Sequence, residues 1–331
     1  MLSLDALRML DTTVWLRSGE KAAQRLHCSQ STVSRNNVET LALFDLALER
    51  VRGEWQFDGD STLLFMERRV HQFKRLQRDP DSHPLRIEAN FWAAPAFLDP
   101  LPHGWEGGVW DHVGMDRPLQ LLRERVIDAW IGSYQPDLPE YDPELAVVDL
   151  CCTPVHLVAA ADPPLVGRSG LIDQDLDPFP SLALPSGLFP KTGVVLRSHG
   201  LWQNRVRMKR FRPELWQGRT EDQVTLTYAS SLALQAMPGL VRLDYDLGLI
   251  SGEALVVRRD LQHQPYLQEL KAWLVHRCES LAGQFPDLQL AAAALTQSQK
   301  SSAGGRSSRD DEPVRDGNLQ VQSIGPDCRG P

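Results

Sequence analysis

With 331 residues, 42% of them apolar, and a formal net charge of −8, the chain has material for two or three compact units with real cores. No stretch approaches the roughly 18 consecutive apolar residues of a membrane span, and MLSLDALRML lacks the basic start and apolar core of a signal peptide, so a cytoplasmic protein without membrane contact is expected. Five cysteines (Cys28, Cys151, Cys152, Cys278 and Cys328) without C-x-x-C spacing and nine scattered histidines predict no disulfide framework, no metal site and no cofactor.

In chain order, LDALRMLDTTVWLRSG has helical apolar spacing and closes on Ser-Gly. Ser18 to Phe44 then reads as two short helices joined by a turn at His27-Cys28. Ala22, Ala23 and Leu26 share one face, and small alanines let a crossing helix approach closely. Ser29 fits an N-cap. Gln30, Ser31, Ser34 and Arg35 cluster in the first two turns of the second helix, the end that a recognition helix presents to base edges in a major groove. The Gln30 amide suits adenine, and Arg35 suits guanine or phosphate. Ser29 and Lys21 belong to the same expected DNA-contacting set. Arg50, Arg52 and Gly53, followed by Trp55 and Phe57 alternating with polar residues, predict a short strand pair.

Ser61 to Arg78 is an amphipathic helix with Leu64, Phe65, Val70, Phe73 and Leu76 as its apolar set, a stripe that a second copy of the chain would bury most simply. Asp79 to Pro84 breaks it and makes a hinge. Charge is divided unevenly along the chain. Residues 1–80 carry 12 basic and 11 acidic groups, whereas 81–297 carry 18 and 27, so the acidity lies away from the helix-turn-helix stretch. Phosphate affinity must then come from local placement and from more than one copy.

Beyond the hinge, Leu85–Ala89 is a short strand, and strand and helix patterns alternate after it. Helix-like Pro118 to Arg125 leads into VIDAWIGSY; LAVVDL, PVHLVAAAD, SLALP, VRMKRF, LVRL and EALVVRRD follow as strand candidates, and PYLQELKAWLVHRC as a helix. Such alternation predicts an α/β unit with largely parallel sheets. Residues 298–331, rich in Ser, Gly, Arg and Asp without periodicity, are expected to be disordered.

These pieces resemble a known family. AAQRLHCSQSTVSR is similar to the helix-turn-helix of the LysR-type transcription regulators, whose pattern runs Ala-Ala, a turn, Ser-Gln and then Val-Ser-Arg. LDALRMLDTTVWLRSG resembles that family's opening helix, Arg50 its Leu-Phe-x-Arg arginine, and VIDAWIG and VHLVAAADPPL two of its effector-domain strands. One position departs: the family carries isoleucine where Asn37 stands here. The resemblance covers residues 2–280. It implies a multidomain protein, with an all-α winged helix-turn-helix N-terminal domain and an α/β periplasmic-binding-protein-like effector domain of two lobes. The implied boundaries are 1–60 for the DNA-binding domain, 61–80 for a linker and dimerisation helix and 81–297 for the effector domain. Its lobes would be 85–153 with 262–290, and 154–261, joined by two crossing strands. Arg50 and Arg52 would lie along phosphates as a wing. The partners implied are double-stranded operator DNA with an imperfect inverted repeat, a small-molecule effector between the lobes, and further copies in a homodimer or dimer of dimers.

In α/β folds ligands sit beyond the carboxyl ends of strands and between domains. Three loops qualify: Asn90, Phe91 and Trp92; Ser133 and Tyr134; and Ser186 and Gly187 with Lys191 and Thr192 close behind. Their hydroxyls and free backbone N–H groups suit a carboxylate or phosphate, and Phe91, Trp92 and Tyr134 an aromatic wall. Thr227 and Tyr228 join them as further candidates. Two other readings stand beside the regulator. One is a small-molecule sensor or solute-binding module whose N-terminal helices serve only dimerisation. The other is a penicillin-recognising serine hydrolase, from Ser18-x-x-Lys21 and Lys191-Thr192-Gly193, but the S-D-N element is absent. No enzyme is expected.

Overall fold

The computed structural model describes residues 3–291 apart from 52–53, 78–82, 112–113, 134–136, 138–140, 162–163, 184–186, 203–205, 208–218 and 221–222. Arg52, Tyr134, Ser186, Cys328, most of the expected hinge, the latter part of VRMKRF and the tail from 298 onward therefore lie outside the described residues.

The N-terminal head is built from α1 (Leu4–Leu16), α2 (Gly19–Arg25) and α3 (Gln30–Leu43). Each helix starts on a serine: Ser3, Ser18 and Ser29 accept from the backbone N–H three residues on, at 3.1, 3.2 and 3.1 Å. An antiparallel hairpin of β1 (Ala47–Val51) and β2 (Glu54–Asp58) follows. Leu7, Leu10, Leu46 and Leu64 form one small core, and Ala22, Ala23 and Val33 a second where α2 crosses α3. Next comes α4 (Thr62–Gln77). Its sequence-level stripe divides. Leu64 and Leu76 are buried, but Phe65 and Val70 are 40% and 44% exposed, beside exposed Leu63 and Met66. The buried face is largely polar, comprising Arg68, His71, Gln72 and Arg75, which hydropathy alone does not reveal.

The remaining elements are β3 (Leu85–Ala89), α5 (Ala93–Phe97), β4 (Trp105–Gly107), α6 (Asp116–Arg123), β5 (Ala129–Ser133), β6 (Leu145–Ala160), α7 (Asp173–Leu176), β7 (Leu182–Ala183), α8 (Pro190–Ser198) and β8 (Val206–Arg207). They continue with β9 (Arg219–Thr220), β10 (Gln223–Val224), β11 (Thr227–Ser230), α9 (Ser231–Gln235), β12 (Leu240–Arg258), α10 (Pro265–Ala282) and β13 (Gln289–Leu290). The main sheet runs β11-β6-β12-β5-β3-β4, with β13 also on β6. Only β3 with β4 and β5 is parallel in it; β5–β12, β12–β6 and β6–β11 are antiparallel, which corrects the largely parallel sheet expected from alternation. The cause is two long strands. LAVVDL and PVHLVAAAD are one strand, β6, while LVRL and EALVVRRD are one strand, β12. Their mutual pairing is shifted by irregularities between Arg242 and Ile250. Both cross from one lobe to the other. Glu253–Val257 pair with β5 (Ala129–Ser133).

The head does not hang free. Leu10 to Leu16 of α1 are buried on every side. Val14, Trp15 and Leu16 join a core with Met115, Leu121, Leu122, Val126, Ile127 and Trp130 of the first lobe. Arg117 donates to the carbonyls of Val14 and Trp15 at 3.0 and 2.8 Å, at the end of α1 where the Arg17 backbone N–H also caps Val14. The Trp15 indole donates to Glu88 Oε2 at 2.7 Å. Gly108 makes room for that carboxyl, since a Cβ there would meet Glu88 Oε2 at 2.3 Å. Asp11 holds Arg68 at 2.8 Å and lies 3.8 Å from Arg86. Asp128 accepts from Gln72, Arg75 and the Arg86 backbone N–H at 2.8, 2.9 and 2.9 Å, tying α4 to the same lobe.

Candidate nucleic-acid face and ligand cleft

The α2–α3 turn passes through His27 in the left-handed region, φ 52°. Val33 turns inward onto Ala22 and Ala23, which leaves Gln30, Ser31, Ser34 and Arg35 exposed together at the start of α3. Lys21 is exposed on α2. Ser29 is partly occupied with structure: its hydroxyl lies 2.8 Å from those of Ser31 and Thr32 while it caps the helix. Arg50 is exposed on β1, its guanidinium 5.5 Å from the Trp55 ring centroid, a stacking that holds it along the hairpin. Asn37 is buried and Val38 exposed, so the buried face of α3 is unshifted and a polar group enters it. The Asn37 amide donates to Thr13 Oγ1 at 2.9 Å, and Thr13 in turn donates to the Met9 carbonyl.

Between the lobes lies a cavity of about 90 Å³. Phe91, Trp92 and Ser133 line it from the first lobe; Phe189, Thr192, Trp202, Tyr228 and Ser230 line it from the second, and Ser251 from β12. Four of the sequence candidates thus meet at one cavity, Phe91, Trp92, Ser133 and Thr192, together with Tyr228. Asn90 is instead fully buried behind the wall against Gly132, with neither amide atom hydrogen-bonded. Thr227 is also fully buried and outside the lining, because its neighbour Tyr228 takes the cavity side of β11. Gly187 is exposed with φ 88°, and Lys191 is exposed.

The polar group behind the cavity wall was not legible. Glu253 on β12 is buried, and its Oε1 accepts from Trp92 Nε1 at 3.0 Å and from Ser133 Oγ at 2.7 Å. Ser251 Oγ lies 3.0 Å from Ser133 Oγ. Glu253 Oε2 has no partner. Burial pushes this carboxyl up to about 7. At the sequence level Glu253 is one acid in a strand candidate; only pairing Glu253 with Ser133 places it under Trp92. Trp202 and Phe189 carry no motif either. They follow and precede α8, and loop aromatics near a helix are the only signal.

The expected free N–H groups at the start of α8 are not free. Asp137, from the loop after β5, accepts from the Lys191 and Thr192 backbone N–H groups at 2.6 and 3.4 Å and from Thr192 Oγ1 at 2.6 Å. The anion seat of this helix is therefore filled by the chain's own carboxylate. The vicinal thiols of Cys151 and Cys152 are both buried, and Cys151 contacts Cys278 of α10, which with burial pushes its thiol well up and leaves it unreactive. Ser18 and Lys21 meet only through the α2 cap, and Thr192 is held by Asp137, so the two halves of the hydrolase pattern are each engaged in local structure. Among the described residues no group of three or more His, Cys, Asp or Glu is placed to hold a metal ion, and no helix is long and apolar enough to cross a membrane.

No protein-family model matches the sequence, and no curated protein matches it either. Solved structures do. Full-length OxyR from Pseudomonas aeruginosa, as a single-site variant, is 15% identical, with 83% of this chain and 95% of that one covered and a TM-score of 0.51. A probable transcriptional regulator from the same organism is 19% identical, over 82% and 96% of the two chains, with a TM-score of 0.51. Full-length CbnR complexed with its target DNA is 14% identical, over 83% and 99%, with a TM-score of 0.50. The chain has the fold of these proteins, from the winged helix-turn-helix through the two-lobed α/β domain.

Proposed function

We propose that this chain is a LysR-type transcription regulator that binds operator DNA through α3 and is controlled by a small molecule in the cleft between its lobes. The observation that carries the reading is the start of α3. Four polar side chains stand exposed on a helix fixed by its Ser29 cap and its Val33 anchor, in a chain that shares the fold of a probable transcriptional regulator and of a protein solved on its target DNA. Gln30 and Arg35 supply base-edge contacts; Ser31, Ser34, Lys21 and Arg50 supply phosphate contacts. The exposed apolar positions of α4, Leu63, Met66 and Val70, fall at helical spacing and fit a second copy, which doubles the weak basic charge of one head. A cytoplasmic site of action follows from this role.

Effector control would be a population shift carried by β3. One end of that strand opens onto Phe91 and Trp92 at the cavity, and one face of it holds Glu88 against Trp15 of the head. Closure of the lobes on a ligand moves the first and so biases the second.

Duplex binding measured against salt tests the reading. Log affinity should fall steeply with log salt, and Arg35→Ala should cost about 1–3 kcal/mol at the cognate operator with the fold unchanged. A slope near zero would favour the sensor module without DNA binding.

A further inference from the structure

The chemistry of the cleft points to the class of its ligand, provided the cleft is the effector site proposed above. Three features bear on charge. Among the described lining residues none is charged, of either sign. The N-terminus of α8, the natural seat for a carboxylate or phosphate, already holds Asp137. Behind the lining, Trp92 and Ser133 donate to the buried Glu253 carboxyl, whose second oxygen has no donor. An anion seated against Ser133 would lie one hydroxyl away from the buried Glu253 carboxyl. A donor is what the site lacks.

The walls point the same way. Trp92 stands on the first lobe, and Trp202 and Tyr228 face it from the second, their ring centroids 5.8 Å apart and their planes within 30°. The Trp202 backbone N–H donates to the Tyr228 hydroxyl at 3.0 Å, which fixes the pair. Aromatic faces attract a desolvated cation, and the buried carboxyl that holds Trp92 Nε1 adds a charge partner behind the first-lobe wall.

We propose that the cleft takes a small organic cation, a protonated amine or methylated ammonium, seated with its charge toward Glu253 and its carbon skeleton against Trp92, Trp202 and Tyr228. The lobes would close on the cation because the carboxyl belongs to the first lobe's strand pair and the stacked rings to the second.

Three probes of one shape test this on the full chain: benzylamine, benzyl alcohol and benzoate, titrated by calorimetry and by tryptophan fluorescence, with tetramethylammonium as a second cation. Benzylamine should bind at least about tenfold more tightly than benzyl alcohol, and benzoate more weakly than either. Its affinity should fall as pH is lowered through about 7, where Glu253 takes up a proton. Glu253→Gln should bring benzylamine down to the level of benzyl alcohol. If that variant melts early, Trp202→Leu is the second reporter and should weaken the amine more than the alcohol. Equal affinities, a preference for benzoate, no binding by any probe, or an unchanged preference in both variants would overturn the proposal. DNA binding by the ligand-free chain is scored separately. Its loss defeats the regulator reading, whereas an anion that binds and alters DNA affinity leaves that reading standing and defeats only the cation.

Discussion

Asn37 shows how a polar residue can occupy a core position. Its amide nitrogen is satisfied by Thr13, but its Oδ1 is buried without a partner. A buried pair of this kind is worth little net, while half of it is expensive. Thr13→Val alone removes the acceptor and should cost about 1–3 kcal/mol by urea unfolding; Thr13→Val with Asn37→Leu should be neutral or stabilising. Glu88 makes a second case. Burial raises its carboxyl to about 7 in spite of Arg117 and the Trp15 hydrogen bond, against an ordinary value of 4.5. Between those values the folded chain keeps a proton that the unfolded chain has released, so stability falls as pH rises through this window and levels off above it. Glu253 titrates in the same window. Between pH 5 and pH 8 the change in urea midpoint should shift toward a gain in Glu88→Gln and further in the double variant with Glu253→Gln, because buried His71 and His156, held low by burial, favour the folded chain as pH rises. The amide oxygen that Glu88→Gln introduces can still accept from the Trp15 indole.

Among the elements, α4 carries two opposed faces, and they predict separable phenotypes. Leu64 is fully buried in the head core, so Leu64→Ala should cost about 2–5 kcal/mol in stability. Val70 is exposed, so Val70→Asp should leave the melting temperature of the subunit nearly unchanged and shift sedimentation toward the monomer. A dimer that survives Val70→Asp and Met66→Asp together would place the pairing surface elsewhere. The short elements were legible because their signals are local: Ser29 as a cap, Ala22 and Ala23 as a close crossing, Leu85–Ala89 as a strand. The long strands were not. Asp246 and Gly248 interrupt the pattern of β12 where its pairing slips, and so one strand reads as two. The cleft was half legible for the same reason. Phe91, Trp92 and Ser133 follow strands directly, whereas Glu253 and Trp202 arrive through cross-strand pairing and an irregular loop that no spacing encodes.

For the whole molecule, the seating of the head on the first lobe is the feature that the sequence pattern hides. Its one trace is that Leu10 to Leu16 are buried all round; a helix with a single wet face would have shown an uninterrupted polar stripe, and LDTTVWL does not. The seat is held by buried ion pairs, which stabilise little as pairs but cost about 3–5 kcal/mol when halved. Asp128 serves three donors, so Asp128→Ala should release α4 and enlarge the particle in small-angle scattering, with helix content by circular dichroism retained. An unchanged scattering profile would show that Trp15 and its apolar neighbours alone fix the head.

That seat also limits how the chain can be recombined. Asp11 and Trp15 are shaped for Arg86, Glu88, Gly108 and Arg117, residues spread over the first lobe. A chimera that joins this DNA-binding module to a foreign sensor domain would expose a tryptophan and strand an aspartate. The heritable unit is thus larger than either domain, and exchange of parts with relatives would have to carry the first lobe along.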